Sequence, residues 1–192
     1  MSNPLLVEVP TRIETDRLIL RPHRAGDGPA LHEALVESLA DLRRFLWFLP
    51  WIAEEQTLDS AEVRCRKSEA NFLARTDLPF LAFEKSLGRL VGSVGLHRTD
   101  WQVPKTEVGY WIRTSSAGKG YVSEGVQALV RCAFEQLGAQ RVELVTDEEN
   151  VASRKVAERC GFALEGVLRN TQRGQDGRLR NACIYARLPT AT

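Results

Sequence analysis

The stretch from Thr106 to Gly138 constrains this chain more than any other. Residues Thr106 to Arg113 read as a strand, and a short loop, Ser115-Ser-Ala-Gly-Lys-Gly120, follows at once. Apolar residues then recur at Val122, Val126, Leu129, Val130, Ala133, Phe134 and Leu137, the spacing of one helix face, and Gly138 is a natural stop. A strand, a glycine loop and a helix in that order aim free backbone N–H groups and a positive helix end at one spot. Gly118 and Gly120 permit a left-handed backbone and close approach, and Lys119 adds positive charge. Such a spot suits a phosphate. A purely structural turn before a helix can carry the same Gly-x-Gly, so the motif alone leaves both readings open.

Two phosphate loops are excluded. A Walker loop needs Ser or Thr after its lysine and a glycine where Arg113 stands, but Lys119 is followed by Gly120. A dinucleotide fingerprint needs glycine where Ser123 stands, and it opens a chain rather than following three strands.

Those three strands are Pro79 to Glu84, Leu90 to His97 and Thr106 to Arg113, with a turn at Gly88, and they suggest a meander. Before them come a strand at Arg17 to Pro22 and two helices. The first starts at Asp27, expected as its cap, and carries Leu31, Leu35, Leu39 and Leu42; the second is capped by Thr57 and runs to about Arg75. Leu46 to Trp51 reads as an apolar break between them. After the central helix come a strand at Arg141 to Thr146, a short helix capped by Asn150 and ending at Gly161, and strands at Phe162 to Leu168 and Asn181 to Leu188. The strand–helix–strand piece implies a parallel pair. The expected fold is α/β (α+β), with a mixed, mostly antiparallel seven-stranded sheet flanked by about four helices. At 192 residues one domain is expected, with its core at about 12–188.

Composition excludes several classes. Lys+Arg 26 against Asp+Glu 25 leaves a formal charge of +1, too little for a dedicated nucleic-acid binder. No apolar run approaches the about 18 residues of a membrane span, and Met1 to Arg12 lacks the apolar stretch of a secretory signal. Cys65, Cys132, Cys160 and Cys183 are far apart, without the spacing of a zinc site or a disulfide scaffold, and His23, His32 and His97 are equally scattered. No metal is expected, and a reducing cytoplasm is the simplest compartment.

The ordered set Glu107-Val-Gly-Tyr-Trp-Ile112, Gly118-Lys-Gly-Tyr121, Glu124, Asn150-x-x-Ser153 and Gly161-Phe162 resembles the GNAT acetyltransferase superfamily. More narrowly it resembles the RimJ/RimL branch of ribosomal-protein N-terminal acetyltransferases, as do Arg17-Leu-Ile-Leu-Arg21, Phe48-Leu-Pro-Trp51 and Tyr185-Ala-Arg-Leu188. The resemblance covers about residues 12 to 188 and implies the GNAT fold, with acetyl-CoA as co-substrate. It also implies that Gly118, Lys119, Gly120, Tyr121, Val122 and Ser123 cradle the pyrophosphate. Trp111, Ile112 and Arg113 would pair through their backbone with the pantetheine arm, which Asn150 would also touch. The acceptor would be a primary amine, of a ribosomal or other protein N-terminus or of a small molecule, and a homodimer is conceivable in this branch. A non-catalytic acyl-CoA-binding regulatory domain is the alternative.

Three departures matter. Ser115 stands where many members carry Gln or Arg, Ala157 where many carry an acid-providing Tyr, and Gln172 where RimL-like enzymes tend to carry a Glu. Amine acetylation by direct attack needs a neutral amine, a stabilised oxyanion and a protonated leaving thiolate. An α-amine of pKa about 8 gives up its proton more readily than a lysine at about 10.4. Glu107 is the expected base, Ser153 the hydroxyl at the departing sulfur, and a backbone N–H between Tyr110 and Ile112 the oxyanion donor. Trp47, Trp51 and Tyr110 are the candidate acceptor-pocket residues, although plain core packing suits the tryptophans equally. The run Arg169, Arg173, Arg178 and Arg180 reads either as a solvated hairpin or as attraction for an acidic acceptor or for the CoA 3′-phosphate.

Overall fold

The computed structural model describes residues 3–189. Among these residues eight strands form one sheet in the order β1-β2-β3-β4-β5-β6-β8-β7. They are β1 Ile13–Glu14, β2 Leu18–Pro22, β3 Leu78–Glu84, β4 Arg89–Asp100, β5 Lys105–Ile112, β6 Arg141–Asp147, β7 Ala163–Arg173 and β8 Leu179–Arg187. The helices are α1 Gly28–Leu46, α2 Pro50–Ala53, α3 Leu58–Ala74, α4 Tyr121–Glu135 and α5 Val151–Arg159. The β3–β4–β5 meander is antiparallel, and β5 and β6, joined through α4, are the parallel pair.

The sheet has eight strands rather than the expected seven because Ile13–Glu14 pairs with Leu20 and Ile19, a strand too short to show any periodicity. Among the described residues the α-helices number five rather than about four, because the apolar break contains one helical turn begun by Pro50, whose fixed φ suits a first position. The strand expected to stop at Leu168 runs on to Arg173 across an irregular register. Asp27 precedes α1 but makes no cap hydrogen bond. Its carboxylate instead takes both Nη atoms of Arg21, at 2.7 and 2.6 Å, and the backbone N–H of Arg24 at 2.8 Å. Thr57 does cap α3, in a reciprocal box with Ser60.

Helices cover both faces, because alternate strand residues supply two apolar surfaces. On one face Leu18, Leu20, Phe80, Val94, Leu96 and Val108 pack with Val126, Leu129, Val130 and Ala133 of α4. On the other, Leu81, Leu90 and Trp111 pack with Leu31, Leu35, Leu42, Ile52 and Cys65 of α1, α2 and α3. All four cysteines are buried and free.

Candidate active site

The sheet opens where its two parallel strands part. β5 and β6 are in register only at Lys105↔Arg141, Thr106↔Val142 and Glu107↔Glu143. Beyond Glu107, β5 continues to Ile112 beside β4, while β6 continues to Asp147 beside β8. Between them lies a gap whose edges carry backbone groups without a strand partner. The Arg113 N–H donates to Val91 O at 2.7 Å, so by alternation Trp111 and Gly109 also face β4, and Tyr110 and Ile112 face the gap.

The start of α4 closes one end of this gap. Gly118 (φ 75°) and Gly120 (φ 83°) hold the left-handed backbone that turns the chain into the helix. A brace outside the gap fixes the turn. Arg17 donates from Nη1 to Lys119 O at 2.9 Å and from Nε to Glu124 Oε2 at 2.7 Å. Glu124 also accepts from the Arg17 N–H at 2.9 Å. Burial works to raise the Glu124 carboxyl, but Thr15 and then the backbone N–H and guanidinium of Arg17 together hold it below its usual range. The first-turn amides of α4 are left free to face an anion.

A cavity of about 1440 Å³ runs from this helix start through the gap to the face covered by α1, α2 and α3. Glu107, Tyr110, Trp111, Ile112, Gly118, Gly120, Tyr121, Val122, Ser123, Asn150, Ser153 and Trp51 all lie on its wall. Three residues expected in the site do not. Arg113 is drawn into the protein: its N–H goes to Val91, its carbonyl accepts from Ser116 N, and its guanidinium donates to Glu33 and Glu37, each at 2.5 Å. Both backbone groups and the charge are thereby spent. Lys119 is exposed beyond the loop, and only its carbonyl is engaged, by Arg17. Trp47 is half-buried and off the wall.

On the α5 side, the Asn150 carboxamide oxygen accepts from the Ser153 N–H at 3.1 Å, which caps the helix. Ser153 Oγ and Tyr110 Oη are 2.7 Å apart. Burial pushes the Tyr110 phenol well above its usual range. Ala157, where many relatives carry tyrosine, is fully buried core, so the hydroxyl pair at the start of α5 is made by Ser153 and Tyr110. Lys155 and Arg159 of α5 reach the same cavity, and Arg159 Nη1 donates to Ser123 Oγ at 3.1 Å.

On the opposite face, the registers Gly95↔Gly109 and His97↔Glu107 put four residues on one surface with Trp111. The two glycines make room for the His97 ring, since a Cβ at Gly95 would lie 2.8 Å from its Nε2 and one at Gly109 2.9 Å from its Cδ2. His97 Nδ1 is 2.7 Å from Asp77 Oδ1, and Glu107 is ion-paired with Arg98. Sequence reasoning missed His97, Asp77, Arg64 and Arg159. Asp77 and His97 come from separate strand ends; the one local trace was a glycine two residues before His97, on the same face.

Two of the late arginines are neutralised by carboxylates, and a third is held by a carbonyl. Arg178 pairs with Asp176 at 2.7 Å, Arg180 with Glu149 at 2.9 Å, and Arg173 Nη1 donates to Gly177 O at 2.7 Å. The solvated-hairpin reading fits them. Among the described residues no cluster of metal-ligating side chains occurs, and no helix is long and apolar enough to cross a membrane.

This fold and parted site define the N-acetyltransferase class of α/β protein. RimL, a ribosomal L7/L12 α-N-protein acetyltransferase solved with coenzyme A, superimposes with a TM-score of 0.85 at 22% identity over 94% of this chain and 99% of that one. MccE, a microcin C7 self-immunity acetyltransferase solved with acetyl-CoA and AMP, gives 0.84 at 21% over 94% and 98%. At these identities the likeness shows the fold. Residues 17–163 match the family described as acetyltransferase (GNAT) domain, and the chain belongs to that family.

Curated relatives include YdaF of Bacillus subtilis, provisionally named a ribosomal N-acetyltransferase, 40% identical over 83 residues, or 43% of this chain and 45% of that protein. The N-acetyltransferase p20 of Bacillus licheniformis is 30% identical over 109 residues, 57% of this chain and 61% of that one. The Escherichia coli ribosomal-protein-serine acetyltransferase is 29% identical over 109 residues, 57% and 59%. The chain thus spans roughly half of the curated relatives it matches first.

Proposed function

We propose that this protein is an acetyl-CoA-dependent N-acetyltransferase that moves the acetyl group to a primary amine by direct attack. The observation that carries this reading is the Tyr110–Ser153 hydroxyl pair on the wall of a gap that begins at Glu107 and ends at the free amides of α4. Acetyl-CoA supplies the acetyl group as a thioester. The α4 amides from Tyr121 to Ser123 hold the pyrophosphate, with Lys155 and Arg159 adding positive charge. The backbone of Tyr110 and Ile112 pairs with the amides of the pantetheine arm, and one of those N–H groups meets the charge that grows on the thioester oxygen.

The two proton-handling sides stand on opposite faces of the sheet. Ser153, backed by Tyr110, donates toward the sulfur. Glu107 takes the amine proton, directly or through a water. Its carboxylate is tied to Arg98, which favours a second base on the same surface: His97, oriented by Asp77. A protein N-terminus, ribosomal or other, fits as acceptor, because an α-amine sheds its proton at lower pH than a lysine.

The test is incubation with acetyl-CoA and a panel of amines and N-terminal peptides, with free thiol followed. Turnover abolished by Glu107→Gln but retained by His97→Asn assigns the base to Glu107, and the reverse assigns it to His97. No turnover with any amine, together with no thermal shift on adding acetyl-CoA, overturns the reading. Tight CoA binding without turnover, unaffected by Ser153→Ala, would favour a regulatory acyl-CoA-binding domain.

A further inference from the structure

Arg64 of α3 lies on the cavity wall with its guanidinium carbon 3.5 Å from the centre of the Trp51 ring. Among the described residues no carboxylate pairs with it, and Nη1 is shut off from solvent without a hydrogen-bond partner. Burial lowers its pKa to about 10. His23, on the same wall, is also driven neutral: burial first, then the Arg64 charge, lowers it to about 3.

The other enclosed arginines contrast with it. Arg113 has Glu33 and Glu37, Arg21 has Asp27, and Arg180 has Glu149. The other acids on the wall do not pair with Arg64 either: Asp77 is engaged by His97, Glu107 by Arg98, Asp147 by Arg180 and Asp41 by Thr114, and Asp59 is exposed. Glu54, whose charge acts on Arg64 from the rim, is exposed and outside ion-pair distance. Arg64 is therefore the enclosed cation on this wall that lacks a counter-charge. Stacking on the indole occupies one face of the guanidinium; Nη1 is sealed, and Nε and Nη2, which are not sealed and make no hydrogen bond among the described residues, are the edge donors left for a planar anion.

We propose that the acceptor is a primary amine that also carries a carboxylate, and that Arg64, held by Trp51, is the residue that selects it. This rests on the transferase reading and adds the substrate class. The amine lies toward Glu107 and His97 at the sheet, and the carboxylate lies at Arg64 under α3. The shared chemistry covers a free amino acid and an N-terminal peptide with Asp or Glu close behind its α-amine.

The experiment compares matched pairs: glutamate against its α-amide, and N-terminal peptides with Asp or Glu at the second or third residue against the same peptides with Asn or Gln. Binding is read by calorimetry and transfer by thiol release, so the anion site is tested even if no acetyl moves. The wild-type chain should favour the carboxylate member of at least one series by about tenfold or more, the scale of a charge-assisted hydrogen bond. Arg64→Gln should erase that preference while leaving KM for acetyl-CoA and turnover of the neutral member unchanged, and Arg64→Lys should retain part of it. Which series shows the preference identifies the source. Equal handling of both members by the wild type, survival of the preference in Arg64→Gln, or a raised KM for acetyl-CoA in that variant each overturns the assignment. The wild-type comparison decides the matter even if Arg64→Gln does not fold.

Discussion

Tyr110 of the central strand and Ser153 of the last helix meet hydroxyl to hydroxyl at 2.7 Å, across the place where the sheet parts. Tyr110 Oη also lies 3.3 Å from Ser153 O, so the phenol is held at the helix start while Asn150 holds the Ser153 N–H. One hydroxyl can pass a proton toward the gap while the other replaces it. Ser153→Ala should lower kcat by about 10²-fold, the lower end for a lost proton donor, with KM for acetyl-CoA little changed. Tyr110→Phe should lower kcat by less, because Ser153 keeps its own hydroxyl. Steady-state kinetics checks both; equal kcat in Ser153→Ala and wild type would remove Ser153 from the chemistry.

The turn into α4 should be sensitive at Gly120. An alanine there keeps φ at 83° and brings its Cβ to 3.4 Å from Arg17 Nη2, which pairs with Glu124 beside the brace on the loop. The strain costs about 1–2 kcal/mol, and KM for acetyl-CoA should rise as the helix start shifts. At Gly118 a Cβ meets nothing, so Gly118→Ala carries the backbone strain alone. Melting curves with and without CoA separate the two.

Arg113 should behave as a structural residue. Its guanidinium is nearly sealed, with Glu33 and Glu37 on it, although both carboxylates retain some solvent exposure. Arg113→Met should cost about 1–3 kcal/mol in chemical denaturation, discounted for that exposure, with KM for acetyl-CoA nearly unchanged. A selective rise in KM without loss of stability would return it to the site.

His23 should set the acid slope of stability. The unfolded chain takes up this proton near pH 6.5, and the native chain resists it until about 3. Its contribution is therefore full above about pH 6.5 and declines as pH falls toward 3, at no more than about 1.4 kcal/mol per pH unit. Between pH 6.5 and 5, above the carboxylate range, His23→Gln should flatten the slope seen in urea midpoints. An unchanged slope would mean that another group carries it.

Much of the frame was legible because it is local. The alternation in Thr106 to Ile112, the helical stripe from Val122 to Leu137 and the caps at Thr57 and Asn150 all depend on neighbours within about two turns. Ser153 came from the family resemblance, whereas the same local reasoning placed the glycine turn at Gly118 and Gly120 ahead of the helix. It missed Ile13–Glu14, whose two residues form a strand only through β2, and it gave Asp27 a capping role that Arg21 overrides. It placed Arg113 in the site because the strand ends there, whereas Glu33 and Glu37, some 80 and 76 residues away, draw it inward.

What the sequence by itself determined was where the backbone must turn, which helix and strand faces are apolar, and that a helix start with two glycines presents free amides. Those properties follow from φ preferences and side-chain period, which act over a few residues. Only the tertiary structure decided which charges are cancelled. Opposite charges cancel at a few ångströms through space, whatever their separation along the chain. Arg178 and Arg180 of the obvious basic run are therefore spent on Asp176 and Glu149, while a single arginine in the middle of α3 stands over Trp51 without a counter-charge among the described residues.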